Sequence, residues 1–153
     1  MSQKQDQAKE RVLAMLFNNR GWDLWEAQDA SDELLHAAHA AYALWERVGG
    51  PVNELRALVL LAYAHARQGS AELALRFARK AEQLMLRAPE GMADWDGPFV
   101  LDAMSRAHEA AGEADRAEEY RVVAESGGKK IADEGDRDYF MKTFERYREG
   151  VAG

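Results

Sequence analysis

Apolar residues recur along the chain at helical spacing and are separated by short polar or glycine-containing breaks. Leu34, Ala38, Ala41 and Trp45 illustrate this pattern, because residues three or four apart share one face of a helix. The breaks predict turns and lie at 28–31, 49–51, 68–70, 88–98, 111–113 and 126–128. They divide the chain into six or seven predicted helices.

The composition supports helices over strands. Alanine occurs 28 times, whereas isoleucine and threonine, two of the β-branched residues that strands prefer, occur once each. A chain of 153 residues is long enough for one hydrophobic core of ordinary size. We therefore predict an all-α fold in a single domain that spans residues 1–153.

Charge and residue usage exclude several classes of function. The chain has 20 basic and 27 acidic residues, and its net charge of -7 disfavours nucleic acid as a partner. With no cysteine, disulfides and thiolate metal sites are excluded. The longest apolar run, residues 57–64, is too short to span a bilayer, so we expect no membrane association and a cytoplasmic protein.

Two stretches of the chain repeat each other. Residues 63–74 and 106–117 share a histidine, a glycine and an alanine at equal offsets. Further along, Phe77 corresponds to Tyr120. The glycine would end one helix, and the small residues after it would let the next helix pack closely. A weaker first copy aligns Trp25 with the histidines and Asp29 with the glycines.

These repeats resemble the tetratricopeptide repeat family, whose unit is a pair of helices with a turn glycine, followed by small and aromatic residues. The resemblance implies about three helical hairpins, at about 10–48, 51–88 and 98–127. A C-terminal capping helix is expected at about 136–149, where Phe140, Phe144 and Tyr147 share one face. A dimerisation face is the alternative interpretation of that helix.

The resemblance also implies a concave groove lined by the first helix of each hairpin. The groove residues fall in three sets, one for each repeat: Asn19, Asp23 and Glu26; Arg56, Val59, Tyr63 and Arg67; and Phe99, Asp102, Arg106 and Glu109. Arginine binds carboxylates through paired hydrogen bonds, and aromatic side chains supply contact area. We expect these arginines to face solvent and to bind a partner, although a surface of internally paired charges is the alternative.

Trp95 lies in the longest predicted loop, within the segment Gly91–Gly97. Long loops on rigid scaffolds often carry binding groups, which favours a ligand-facing role for this side chain. A hydrophobic plug over the junction between the second and third repeats is an equally good interpretation.

The histidines are the remaining chemical candidates. Glu33, His36 and His39 are spaced three residues apart, so one helix could offer two or three ligands to a metal. No second motif of this kind converges on them, and we favour packed or partly buried structural histidines. His65 and His108 stand where the family usually has a large aromatic residue between helices.

These observations predict a non-catalytic module that binds a protein or peptide in its groove. Nucleotide-binding and metalloprotease motifs are absent from the sequence, so we expect neither an enzyme nor a cofactor. The alternative is a helical protein, either an enzyme or a binding protein, that binds a metal or small molecule through its histidines and the Trp95 loop. A homo-oligomer stays open.

Overall fold

The computed structural model of the protein describes residues 2–29 and 31–151, with side chains described up to Glu145. The described part is built from seven helices and contains no strand, which confirms the all-α prediction. The helices are α1 (Gln3–Glu26), α2 (Glu33–Val48), α3 (Pro51–Arg67), α4 (Ala71–Leu86), α5 (Asp96–Ala110), α6 (Ala114–Lys129) and α7 (Glu134–Val151). Across these residues, no helix combines the length and apolarity needed to cross a bilayer.

Consecutive helices pack most closely in the pairs α1 with α2, α3 with α4, and α5 with α6. The odd-numbered helices also contact each other, α1 with α3 and α3 with α5, and α7 lies against α5 and α6. Gly21 allows α1 to approach α3, because a Cβ atom there would lie 2.7 Å from a methyl carbon of Leu60. The core is centred on α3 and α5, and the even helices α2 and α4 add buried residues such as Leu34 and Phe77.

Each of the three pairs turns through one residue with a left-handed backbone. Gly69 and Gly112 have φ of 76° and 74°, as the sequence predicts for turn glycines. In the first pair this residue is Gln28, with φ of 56°, and not Asp29. The amide that follows each of them donates to a carbonyl five residues earlier, that of Leu24, His65 or His108.

The alignment of the first copy was therefore wrong by one residue. Gln28 is equivalent to the two glycines, and Leu24, not Trp25, is equivalent to the two histidines. Asp29 lies one position further on, where its Oδ1 accepts a hydrogen bond from the Ser31 amide at 2.7 Å. Because successive helix positions differ by about 100° in direction, this shift changes which side chains of α1 share a face with α3 and α5.

The second and third copies match as the sequence predicts. The ring of His65 stacks on Phe77 with centroids 5.5 Å apart, and that of His108 stacks on Tyr120 at the same distance. Both histidines are buried, which confirms the packed interpretation for these two. His36 is exposed, so that interpretation was wrong for it. His39 is exposed as well, although its ring contacts those of His65 and Phe77.

The turn predicted at Ser126–Gly128 is absent, because these residues form the last turns of α6. Gly128 is buried, and the ring of Phe140 occupies the space that a side chain at this position would need. The glycine therefore serves close packing between α6 and α7 and does not end the helix early.

Helix α7 buries its apolar face as expected of the capping segment. Phe140 and Phe144 are 0% and 3% exposed, and the ring of Phe140 meets Phe99 edge-on with centroids 5.0 Å apart. Tyr147, the third residue expected on this face, lies outside the described side chains. Helix α7 thus covers one side of α5.

Candidate functional site

Two cavities open where side chains of the odd helices meet. The first, which we call the aromatic cavity, has a volume of about 190 Å³ and is lined by Asn18, Trp22, Arg56, Val59, Trp95, Asp96, Phe99 and Tyr139. The second, the arginine cavity, has about 170 Å³ and is lined by Trp25, Tyr63, Ala66, Arg67, Arg106, Glu109 and Ala110. Together they form the candidate site.

Four aromatic rings surround the aromatic cavity, with Phe99 at the centre. Its ring centroid lies 6.1 Å from Trp22, 6.1 Å from Trp95 and 6.2 Å from Tyr139. Trp95 meets Phe99 at 89°, so the two rings form a corner. Such edge-to-face contacts hold aromatic walls in fixed orientations.

The polar groups of this cavity differ in how far they are satisfied. The Arg56 guanidinium donates two hydrogen bonds of 2.9 Å to the buried carboxylate of Asp96, and its charge lies 4.4 Å from the Trp95 ring. By contrast, the side-chain oxygen of Asn18 is buried and accepts no hydrogen bond from the described residues. A buried polar atom of this kind is costly unless a partner satisfies it.

In the arginine cavity, two cations flank one indole. The guanidinium carbons of Arg67 and Arg106 lie 4.6 Å and 5.2 Å from the ring centroid of Trp25. Arg67 also donates to the backbone carbonyl of Trp25 at 2.5 Å. The carboxylate of Glu109 stands at the exposed edge, so the cavity carries charges of both signs.

Beneath the arginine cavity lies a buried network of three side chains. The Tyr63 hydroxyl donates to Asp102 at 2.5 Å, and Arg106 donates to the same carboxylate oxygen at 2.8 Å. Burial, together with the charge of Asp102, holds the pKa of Tyr63 well above its usual value. The phenol therefore stays protonated and remains a hydrogen-bond donor to Asp102 at neutral pH.

The sequence suggested that Arg106 faces solvent in the groove. In the structure its side chain is buried instead. It is 7% exposed, and besides Asp102 its guanidinium binds the backbone carbonyls of Thr143 and Phe144 at 2.9 Å and 3.2 Å. Asp102 itself is fully buried. Charge reversal at Arg106 would thus remove contacts that fasten α7 to α5.

The other predicted groove residues of α3 and α5 divide between the two cavities. Arg56, Val59 and Phe99 line the aromatic cavity, while Tyr63, Arg67 and Glu109 line the arginine cavity. Trp95 directly precedes α5 and forms a wall of the aromatic cavity. The residue therefore lies in the predicted loop and also packs against its neighbours.

The predicted groove residues of α1 are displaced by the one-residue error in the first copy. Asn19 and Asp23 are exposed and line neither cavity. The side chains that do are Asn18, Trp22 and Trp25, which become equivalent to Val59, Tyr63 and Ala66 once Gln28 is aligned with Gly69. Glu26 accepts a hydrogen bond from Tyr139 of α7 at 2.8 Å.

The repeat pattern in the sequence did not indicate two of the residues that line the candidate site. Tyr139 comes from α7, outside the repeats, and reaches the aromatic cavity only because that helix folds back beside α5. Asp96 sits in a loop by its sequence, but its carboxylate is buried and accepts a hydrogen bond from the Ala93 amide at 2.8 Å. Both depend on tertiary packing.

The residues proposed as alternative metal ligands do not converge. Glu33 pairs with Arg20 at 2.8 Å, His36 is exposed, and His39 points to His65, with the two Nε2 atoms 2.9 Å apart. Within residues 2–29 and 31–151, no group of three histidine, aspartate or glutamate side chains is arranged to hold a metal ion. The contact between His39 and His65 joins α2 to α3.

A larger cleft lies near the start of α1, away from both cavities. Its volume is about 650 Å³, and it is lined by Gln3, Asp6, Gln7, Lys9, Glu10, Arg47 and Val48. These side chains are exposed or half-buried, so they do not form an enclosed binding site. The cleft lies between the start of α1 and the end of α2.

The chain was compared with protein-family models, with curated proteins and with solved structures, and none of the three comparisons found a match.

Proposed function

We propose that the protein is a non-catalytic interaction module of the tetratricopeptide-like kind, which binds a protein or peptide partner at the face of its odd helices. In this proposal the aromatic cavity receives one large apolar side chain of the partner. The Asn18 side chain then meets a donor that the partner supplies beside it.

The repeat geometry supports the tetratricopeptide-like part of the proposal. Three helix pairs turn through left-handed residues in equivalent positions, and the odd helices contact each other in order. These two features are expected of stacked helical hairpins that present the first helix of each pair on one surface.

The observation that carries the binding proposal is the aromatic cavity with its unsatisfied oxygen. Trp22, Trp95, Phe99 and Tyr139 provide apolar walls, and Asn18 adds a buried acceptor beside them. Aromatic walls with a few convergent polar groups are typical of sites that recognise a ligand by burial and orient it by hydrogen bonding.

Cavity size favours a side chain over a cofactor. Sites for whole small ligands usually have volumes of about 300–1,000 Å³, and the aromatic and arginine cavities have about 190 Å³ and 170 Å³. One side chain, anchored while the rest of a peptide lies on the surface outside, suits this volume better than a nucleotide or a flavin.

The charged groups support a non-catalytic role. The buried carboxylates of Asp96 and Asp102 are each held by an arginine, through Arg56 and Arg106 respectively. A general base needs a carboxylate within reach of a substrate proton, whereas these two are committed to structural contacts. Recognition therefore depends on shape and hydrogen bonding.

Peptide display on the purified protein tests this function. We expect selected peptides to share one large apolar residue, and their affinity can be measured by fluorescence polarisation. Asn18→Ala should weaken binding by about 2-fold to 10-fold, because one hydrogen bond is lost. Trp95→Ala should weaken it by more than about 10-fold, because a wall of the cavity disappears.

Asn19→Ala is the matched control, since it makes the same substitution one residue away on the exposed side of α1. It should leave the affinity unchanged. The proposal would be rejected if no peptide is selected. It would also be rejected if the selected peptides bind Asn18→Ala and Trp95→Ala with the same affinity as the native protein. Binding of free aromatic compounds without any peptide preference would favour a small-molecule role instead.

A further inference from the structure

A buried polar atom at the aromatic cavity, Oδ1 of Asn18, has no hydrogen-bond partner within the described residues. The other oxygen-bearing side chains of the lining are already engaged. Arg56 donates two hydrogen bonds to Asp96, and the Tyr139 hydroxyl donates to Glu26. A ligand that fills the cavity must therefore bring a hydrogen-bond donor, and it need not bring an acceptor.

The floor and the rim of the aromatic cavity differ in exposure. Val59 and Phe99 are 4% and 7% exposed and form an apolar floor. Tyr139 is 48% exposed and Trp95 is half-buried, so these two rings lie at the rim. A ring that enters between Trp95 and Tyr139 would be buried at the floor, while its attachment to a peptide would stay near solvent.

The volume of the aromatic cavity limits its occupant to one ring system. An apolar cavity of about 150 Å³ in another protein holds a single benzene molecule. The aromatic cavity has about 190 Å³, which suits a ring system somewhat larger than benzene. Aromatic walls bind such a ring through edge-to-face and offset contacts.

The charges of the lining disfavour a cationic ligand, which is the other class that aromatic walls bind. The Arg56 guanidinium already lies 4.4 Å from the centre of the Trp95 ring. It also pairs with the buried carboxylate of Asp96 at 2.9 Å. A second cation would be repelled by Arg56 and would find this carboxylate already engaged, so a neutral ring is favoured.

We propose that the occupant of the aromatic cavity is a tryptophan side chain of the partner, whose indole N–H donates to Oδ1 of Asn18. This inference rests on the proposed function, because it names the side chain that the partner supplies. Indole is a donor only, so it satisfies Asn18 and adds no acceptor that needs a partner. A tyrosine would bring a hydroxyl oxygen that itself needs a donor, and a phenylalanine would leave Asn18 unsatisfied.

Titration of the full-length, ¹⁵N-labelled protein with indole and with benzofuran, followed by NMR, tests the hydrogen bond. Benzofuran has the shape of indole but carries an oxygen in place of the N–H. Indole should bind the native protein about 3-fold to 10-fold more tightly, because it gains the hydrogen bond to Asn18. The resonances of the Asn18 side-chain amide and of the Trp95 indole should shift as the ligand binds.

Variants of Asn18 show whether this residue causes the preference. Asn18→Leu roughly conserves the size of the side chain and removes the acceptor, so indole and benzofuran should bind it equally. Asn18→Ala should lose the preference as well, which gives a second variant if the first does not fold. Asn19→Leu is the matched control, because it makes the same substitution at the exposed neighbour, and it should keep the native preference. The NMR spectrum of each variant shows whether its fold is retained.

The peptides selected by display connect the indole ring to a partner. Each should contain a tryptophan. Replacing this tryptophan by 3-benzothienylalanine, which has sulfur in place of the N–H, should weaken binding to the native protein about 3-fold to 10-fold. The same replacement should leave the affinity for Asn18→Leu unchanged.

Equal affinities of indole and benzofuran for the native protein would overturn the inference, as would a preference that persists in both Asn18 variants. Selected peptides that are anchored by leucine, phenylalanine or tyrosine would also overturn it, and in that case the proposed function would stand. If no peptide is selected but indole binds through Asn18, the proposed function fails. The ring would then belong to a free small molecule, which overturns the assignment to a tryptophan of a partner.

Discussion

The Arg106 guanidinium donates to the backbone carbonyl of Thr143 at 2.9 Å and so joins α5 to α7. The same side chain holds the buried carboxylate of Asp102 at 2.8 Å. An arginine that looks like a ligand-binding group in the repeat pattern is thus a structural link between two helices. Its removal would take the arginine partner away from the buried negative charge of Asp102, to which the Tyr63 hydroxyl still donates.

Arg106→Ala should therefore destabilise the protein by about 3–5 kcal/mol, the usual cost of breaking a buried ion pair by removing one partner. Urea denaturation followed by circular dichroism measures this change. Arg116→Ala is the control, because Arg116 forms an exposed ion pair with Glu119 at 3.2 Å, and such pairs contribute about 0.2–1 kcal/mol. Equal effects of the two substitutions would contradict the structural role of Arg106.

Phe140→Ala should destabilise the protein by about 3–5 kcal/mol, because a fully buried ring leaves a cavity beside Phe99 and Gly128. Tyr139→Phe, on the neighbouring exposed residue, keeps the ring, removes the hydroxyl that donates to Glu26 and should cost about 0.5–1.5 kcal/mol. Thermal unfolding of the two variants compares them. A small effect of Phe140→Ala would mean that α7 can detach without disturbing the repeats.

The histidine pair between α2 and α3 should make stability depend on pH. Burial lowers the pKa of His65 to about 4, and the neighbouring His39 acts in the same direction. Burial also lowers the pKa of His39. Because the unfolded chain takes up protons near pH 6.5 and the folded chain does so only at lower pH, stability should fall as the pH drops from about 6.5 toward 4.

Replacing His65 by leucine, the residue at the equivalent position of the first pair, should remove most of this pH dependence. Between pH 7 and pH 4, the free energy of unfolding should fall further in the native protein than in His65→Leu, by roughly 2–3 kcal/mol. His36→Leu is the control, because it makes the same substitution at an exposed histidine of α2. Identical slopes in all three proteins would show that the pair does not resist protonation.

Local patterns explain why the helices and two of the three turns could be predicted. Gly69 and Gly112 mark left-handed turns because glycine lacks the Cβ atom that opposes this conformation. The burial of Arg106 could not be predicted, because its partners Thr143 and Phe144 bind through backbone carbonyls that any residue carries. A side chain's partner on another helix leaves no periodic signal.

The site residues of α1 were misassigned for a different reason. Aspartate adopts left-handed turns far more readily than glutamine, so Asp29 was the natural equivalent of the turn glycines. The structure places Gln28 there instead, which moves the cavity-lining positions to Asn18 and Trp22. A single turn residue therefore decides which face of a 24-residue helix belongs to the candidate site.

Gln28→Gly should stabilise the protein, because it relieves a left-handed conformation that costs an L-residue about 1–2 kcal/mol. Part of this gain is offset by the greater freedom of glycine in the unfolded chain, so we expect a net increase of about 0.5–1 kcal/mol in the free energy of unfolding. The same substitution at Asp29 should destabilise, since it removes the carboxylate that accepts a hydrogen bond from the Ser31 amide and adds only flexibility. Chemical denaturation of both variants compares the two positions. If Asp29→Gly stabilises the protein and Gln28→Gly destabilises it, the original alignment is correct. Asn19 and Asp23 would then return to the face of α1 that α3 and α5 share.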